Sequence, residues 1–147
     1  MPVTDQMTDQ ARAEKSAAAM WANDAASQGV GMVLGPVAPG RAELTLTVAA
    51  RHLNGHKICH GGFIFTLADS AFAFACNSYN QLAVAHVSSI THIAPSYEGE
   101  HLTARATEVS RTGRNGIYDV TVSNQKDGVV AEFRGHSRTV KGQHFIE

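Results

Sequence analysis

The chain has 147 residues, a length that suits a single domain with one hydrophobic core. Lys and Arg total 12 against 13 Asp and Glu, so the formal net charge is −1 and no basic surface for duplex nucleic acid is expected. Only 17% of the residues are charged and 44% are hydrophobic, which favours an oligomer whose interface hides part of the surface.

The N-terminus and the cysteines predict the compartment. Residues 1–6 lack the basic and apolar regions of a secretory signal peptide, so we expect a cytoplasmic protein. Cys59 and Cys76 are too few for a disulfide framework and are predicted to be free thiols. The longest apolar stretch, residues 63–76, is shorter than the ~20 residues of a membrane span. We therefore expect no transmembrane segment.

The alanine-rich residues 8–26 predict a peripheral helix that ends at Gly29. A short Val/Met/Leu segment follows this helix and begins the strands. The predicted organisation is an N-terminal helical extension, residues 1–28, and one domain, residues 29–147.

Two strands are predicted next, over residues 29–34 and 41–48. Residues 35–40 between them are predicted to form a turn, because their two prolines do not fit a paired ladder. In the second strand apolar residues occupy the even positions and polar residues the odd ones, a pattern typical of a strand with one exposed face.

A central helix is predicted over residues 63–76, opened by Gly61 and Gly62, because this segment is too long and too uniformly apolar for a strand. Turn signals separate the later strands, which are predicted at residues 82–94, 101–109, 117–125 and 129–140. An antiparallel sheet accommodates one apolar helix most simply by curling around it. The predicted fold class is therefore α+β, with a curled antiparallel sheet wrapped around a long central helix.

One carboxylate stands out in the apolar part of the chain. Asp69 is the only Asp, Glu, Lys or Arg between residues 58 and 97. Its neighbours at helical spacings, among them Phe65 and Phe72, are apolar, and a carboxylate placed there is costly unless it is partnered or protonated. A functional carboxylate is one interpretation. A loop cap or a partner of a buried cation is the other.

The segment His60-Gly61-Gly62 lies at the predicted start of the central helix. Unpaired N–H groups and the positive end of the helix dipole are found there, and glycine lets a ligand oxygen approach the backbone closely. These features predict an oxyanion hole. An ordinary tight turn from loop to helix is the alternative.

The separation of these two features predicts a dimer. Gly61 and Asp69 are eight residues apart, or ~12 Å at roughly 1.5 Å per helical residue, which is too far to serve one carbonyl group. Two such helices, antiparallel across a two-fold axis, would bring Asp69 of one chain to the Gly61 end of the other. Two equivalent sites would then lie at the interface.

The histidines allow a second chemistry. His52, His56, Cys59 and His60 are residue types that bind zinc, and they lie within nine residues. Their spacing is not that of a closed zinc site, so we expect no metal here. The remaining histidines, including His86, His92, His136 and His144, are assigned no role beyond strand surface or core packing.

Three segments carry a resemblance to a known family: Leu53–His56 (LNGH), Cys59–Gly62 (CHGG) and residues 67–78 (LADSAFAFACNS). They resemble the hotdog-fold acyl-CoA thioesterases of the phenylacetate degradation type, and the similarity extends from roughly residue 29 to residue 141. The resemblance implies the hotdog fold and hydrolysis of aromatic (phenylacetyl-CoA-like) or medium acyl-CoA thioesters to free acid and coenzyme A. It also implies a homotetramer, a dimer of dimers.

The resemblance also implies roles for individual residues. Asp69 would be the catalytic carboxylate, as nucleophile or general base, and the Gly61 N–H would bind the thioester oxygen. Asn54 would orient the target or the water, and His60 would shape the oxyanion end. Related enzymes often carry a hydroxyl at the position of Ala73, which this chain lacks.

A thioester carbonyl is electrophilic enough that we expect neither a metal nor an organic cofactor. Coenzyme A would be a substrate, so its phosphates need cations. Arg111 and Arg114, on either side of Gly113, are the candidates, with solvated surface charge as the alternative. Gly62 is a further candidate for substrate binding, because it lacks a side chain at the helix start. A hotdog hydratase and a noncatalytic acyl-CoA-binding domain are the competing functions.

Overall fold

The computed structural model describes residues 6–147. The predicted N-terminal helix is in fact two helices, α1 (Asp9–Ala22) and α2 (Ala25–Val30). The Asp24 carboxylate accepts a hydrogen bond at 2.9 Å from a backbone N–H of the first turn of α2, and so caps a new helix. Gly29 lies inside α2, and Gly31, with φ of 99°, ends it. The prediction that Gly29 ends the helix is therefore wrong.

Helix α1 packs against the domain. Ala13, Ser16 and Ala17 of α1 are buried, and Ala17 joins the main hydrophobic core. The predicted boundary between residues 28 and 29 falls within α2. The division into an extension and a domain stays a prediction.

Six antiparallel strands form one sheet in the order β1-β2-β4-β5-β6-β3. The strands are β1 (Val33–Ala38), β2 (Arg41–Thr47), β3 (Ala83–His92), β4 (His101–Thr112), β5 (Asn115–Ser123) and β6 (Val129–Thr139). A 3-10 helix, Ala50–His52, follows β2. Strands β1 and β3 are the two edges of the sheet.

The turn predicted over residues 35–40 is wrong, because β1 continues through Pro36 to Ala38. The register of β1 against β2 shifts between Leu34 and Val37, so Pro36 lies in an irregularity of an edge strand, where no ladder hydrogen bond is lost. The chain reverses only at Gly40, whose φ is 71°. The strand predicted at 29–34 is correspondingly displaced toward the C-terminus.

The alternation predicted for the second strand is confirmed. Ala42, Leu44 and Leu46 of β2 are at most 2% exposed, while the residues between them are more accessible. Because β2 is followed in the sheet by β4 and β5, whose inward residues are also apolar, the three strands form a continuous apolar wall.

Helix α3 (Gly61–Cys76) lies against this wall and packs on every strand of the sheet. Its buried residues include Leu67, Ala68, Phe72 and Ala75. The predicted α+β class, with a sheet curled around a long helix, is confirmed. Four residues at helical spacings form a stripe of α3 that is only partly covered: Gly62, Thr66, Asp69 and Ala73.

Both cysteines are free and buried. Burial raises the pKa of Cys59 to about 11 and that of Cys76 to about 12, so the thiols stay protonated at neutral pH. Among the helices of residues 6–147, none combines the length and apolar character that crossing a membrane demands. The cytoplasmic location stays a prediction.

Candidate active site at the start of the central helix

The start of α3 leaves one backbone donor unused. The Gly62 N–H donates to Nδ1 of His60 at 2.9 Å, which makes His60 the cap of the helix. The N–H groups of Phe63 and Ile64 both donate to the His60 carbonyl oxygen, at 3.0 and 3.4 Å. The Gly61 N–H is thus the one first-turn donor with no acceptor among residues 6–147.

A groove of about 340 Å³ opens at Gly61. Its lining residues are Asn54, Ile58, Cys59, Gly61, Ile64, His92, Ile93, Ala94 and Pro95. The Oδ1 atom of Asn54 accepts a hydrogen bond from the His56 N–H at 2.9 Å, and this contact fixes the loop. The amide NH₂ of Asn54 then has no acceptor among the described residues. The structure therefore places Asn54 and Gly61, both implied by the family resemblance, in one groove.

His60 and Gly62 are placed differently from Gly61. Together with Phe63 and Thr66 they line a separate groove of about 320 Å³. The Gly62 N–H is occupied by His60, and a methyl group added at Gly62 would lie 3.0 Å from Nδ1 of that ring. His60 therefore acts on the helix start by taking one of its donors. The substrate-binding role of Gly62 stays a prediction.

Asp69 lies in the middle of α3, half-buried on the partly covered stripe. Burial alone raises the pKa of its carboxyl group, because no cation or hydrogen-bond donor among residues 6–147 faces the carboxylate. Neither structural interpretation, a loop cap or a buried ion pair, is seen. Two helical turns separate it from Gly61, or ~12 Å along the axis at roughly 1.5 Å per residue.

The two candidate arginines are at the opposite end of α3. Arg111 and Arg114 line a narrow cleft with Cys76, the last residue of the helix. The guanidinium of Arg111 lies 3.5 Å from the centre of the Tyr79 ring. Cys76 is ~22 Å from Gly61 at roughly 1.5 Å per residue, so one chain does not bring these arginines to the groove.

The histidines and the cysteine proposed as alternative zinc ligands are not gathered into one group. His52 is buried, its Nδ1 accepts from the Ala49 N–H at 2.9 Å, and its Nε2 donates to the Val30 carbonyl at 2.8 Å. Both ring nitrogens therefore hold the backbone. Within the part of the chain that the structure describes, three or more metal-binding side chains nowhere converge.

Sequence reasoning missed His92, which lines the groove beside Gly61. A methyl group added at Gly61 would lie 3.1 Å from Cε1 and 3.2 Å from Nε2 of His92. The ring is exposed, at the last residue of β3. No local pattern signals this contact, because it depends on the pairing of β3 with β6, which sets His92 opposite Ala131.

Comparison with known proteins agrees with this geometry. The profile of the thioesterase superfamily matches residues 56–131. The acyl-coenzyme A thioesterase PaaI of Escherichia coli is 42% identical over 131 residues, which cover 89% of this chain and 94% of that protein. The chain therefore belongs to the thioesterase superfamily. The predicted class, a thioester-hydrolysing enzyme with the hotdog fold, is confirmed.

Solved structures give the same result. The structure of the E. coli PaaI protein from the phenylacetic acid degradation operon superposes with a TM-score of 0.91 at 40% identity, and the match covers 92% of this chain and 99% of that one. A Streptococcus mutans protein bound to acetyl-CoA superposes with a TM-score of 0.74 at 26% identity, covering 77% of this chain and 91% of the other.

Proposed function

We propose that this protein hydrolyses acyl-CoA thioesters, with aromatic (phenylacetyl-like) or medium acyl groups, to the free acid and coenzyme A. The observation that carries the proposal is that one helix has both an unused Gly61 N–H in an open groove and an Asp69 carboxylate without a partner among the described residues. The 42% identity to the E. coli acyl-coenzyme A thioesterase and the acetyl-CoA held by the S. mutans relative support the substrate class.

The groove supplies the polarising part of the reaction. The thioester carbonyl oxygen would accept a hydrogen bond from the Gly61 N–H, at the positive end of the α3 dipole. The amide NH₂ of Asn54, on a loop fixed by its own Oδ1, would orient the carbonyl group or the attacking water. These groups are positioned before substrate binds, so little reorganisation is needed during the reaction.

Asp69 supplies the base or the nucleophile. As a general base it takes a proton from water while the water oxygen adds to the carbonyl carbon and the π electron pair moves to the carbonyl oxygen. Collapse of this oxyanion re-forms the C=O bond and breaks the C–S bond, and the departing thiolate takes up a proton. Burial raises the pKa of Asp69 and so strengthens it as a base.

A two-fold dimer would assemble the site. The stripe of α3 that carries Asp69 is only partly covered within its own chain. If this stripe packed antiparallel against the same stripe of a second copy, Asp69 of one chain would lie near Gly61 of the other, although the two are ~12 Å apart within one chain. The same operation would move the Arg111 and Arg114 end of one helix toward the Gly61 end of the other, where coenzyme A phosphates need cations. The tetramer would be a pair of such dimers.

The test is a panel of acyl-CoA substrates with a thiol reagent that detects released coenzyme A. We expect turnover by the unmodified protein and a fall of about 10² or more in kcat for Asp69→Asn. Asp127→Asn is the matched control, because Asp127 is an exposed hairpin residue with φ of 60°, which asparagine accepts.

Each outcome separates the functions. Near-normal turnover by Asp69→Asn would remove this carboxylate from the mechanism. If the protein binds the panel tightly but releases no coenzyme A, it is a noncatalytic binding domain. Loss or gain of water across an enoyl-CoA double bond, without thiol release, would identify a hydratase.

A further inference from the structure

We propose that His92 is a second hydrogen-bond donor to the thioester oxygen, acting beside the Gly61 N–H. The inference rests on the proposed function and adds a catalytic residue to it. It starts from a shortage of donors at the helix start. Oxyanion sites commonly present more than one donor, yet His60 occupies the Gly62 N–H, and the next two N–H groups are bonded to the His60 carbonyl oxygen.

His92 is in the right place to make up this shortage. It closes β3, and its ring packs on Gly61 so tightly that a methyl group there would lie 3.2 Å from Nε2. Both His92 and Gly61 line the same groove. A carbonyl oxygen bound to the Gly61 N–H in this groove would have the His92 ring among its neighbours.

The ring is also free to donate. Neither nitrogen of His92 has a hydrogen-bond partner among residues 6–147, whereas both nitrogens of His52 are bonded to the backbone and Nδ1 of His60 caps α3. An imidazole carries at least one N–H in either charge state. His92 can thus donate without transferring its proton, so it needs no partner to restore it after each turnover.

The contribution would be to kcat more than to KM. The carbonyl oxygen carries little charge in the bound substrate and a full negative charge after addition, so a hydrogen bond from His92 strengthens as the reaction proceeds. The thiolate is a different substituent of the same carbon, so its departure does not require a hydrogen bond from His92. A residue that only shapes the groove would instead alter KM and acyl preference.

The test compares His92→Phe, which keeps a ring of similar shape but no donor, with His92→Gln, which keeps an N–H donor. We expect His92→Phe to lower kcat by about 10² or more and to change KM little. His92→Gln should retain kcat within about tenfold of normal, because a side-chain amide can serve the same oxygen. His101→Phe, an exposed histidine at the start of β4, is the control for the loss of a surface imidazole.

Normal kcat in His92→Phe would overturn the inference, as would equal losses in the Phe and Gln variants. If His92→Phe does not show the normal thermal unfolding curve, His92→Ala is used in its place. Added imidazole should then restore kcat, whereas added benzene, a ring without an N–H donor, should not. Asp69→Asn in the same assay keeps the two proposals apart. If Asp69→Asn loses activity and His92→Phe does not, the role of His92 is refuted and the proposed function stands. If the unmodified protein is inactive, both proposals are refuted.

Discussion

A mixed-subunit experiment directly tests the proposal that two chains share each site. We expect Asp69→Ala and Asn54→Ala homodimers each to be crippled at both sites. In a heterodimer of the two, one site inherits both substitutions, while the other combines Asp69 from the Asn54→Ala chain with Asn54 from the Asp69→Ala chain. This follows because Asn54 lines the groove at Gly61, whereas Asp69 is ~12 Å along α3 at roughly 1.5 Å per residue.

The magnitude follows from symmetry. Refolding a one-to-one mixture gives about half heterodimers, each with one intact site of two, so activity should return to about a quarter of that of the unmodified protein. With a different affinity tag on each chain, heterodimers purified over two columns should reach about half. Release of coenzyme A from the best substrate of the panel is the assay.

The controls make a failure interpretable. Loss of Oδ1 in Asn54→Ala removes an acceptor from the loop, so circular dichroism and thermal unfolding must first show a folded protein. Verified heterodimers with no more activity than either parent would mean that the site lies within one chain. The antiparallel packing of the helices would then be wrong, and Asp69 would need another explanation.

Three further outcomes are expected. Burial raises the pKa of Asp69 above 3.8, so the carboxyl group destabilises the folded chain increasingly as the pH rises above 3.8, and the loss is complete above the folded pKa. Asp69→Asn should therefore raise Tm at pH 7, and scanning calorimetry should find that gain vanishing as the pH falls toward 3.8. Tyr118→Phe should lower the free energy of unfolding in urea by about 2 kcal/mol, because its buried hydroxyl donates to Glu108 Oε1 at 2.9 Å; no change would show that this bond is not stabilising. Dialysis against EDTA should leave turnover unchanged, whereas loss of activity that zinc restores would revive a metal site at His52 and its neighbours.

The elements that the sequence predicts correctly are those whose buried face follows from the spacing of their own apolar residues. The alternation of β2 and the unbroken apolar run of α3 each require a particular face to be covered, so both were found from local sequence. The break between α1 and α2 was missed, because it depends on the side chain of Asp24 capping a new helix within an alanine-rich stretch. Pro36 was misplaced because a register shift at an edge strand tolerates it.

The residues of the candidate site also differ in whether a local pattern or a long-range contact reveals them. Asp69 and Gly61 are candidates from sequence alone, because an isolated carboxylate in an apolar helix and glycines at a helix start are visible within a short window. His92 was missed because its contact with Gly61 joins positions 31 residues apart and is created by the pairing of β3 with β6. Contacts of this kind depend on the register of the sheet, which the local pattern of a single sequence does not contain.

The two glycines at the start of α3 have a consequence for how this sequence can change. Neither has a positive φ, so the backbone itself permits a side chain at both positions. What crowds one is a neighbouring imidazole in each case: that of His92 at Gly61 and that of His60 at Gly62. A side chain at position 61 should therefore disturb the fold less when residue 92 is small, and one at position 62 less when residue 60 is small, so the folding effects of each pair should not add.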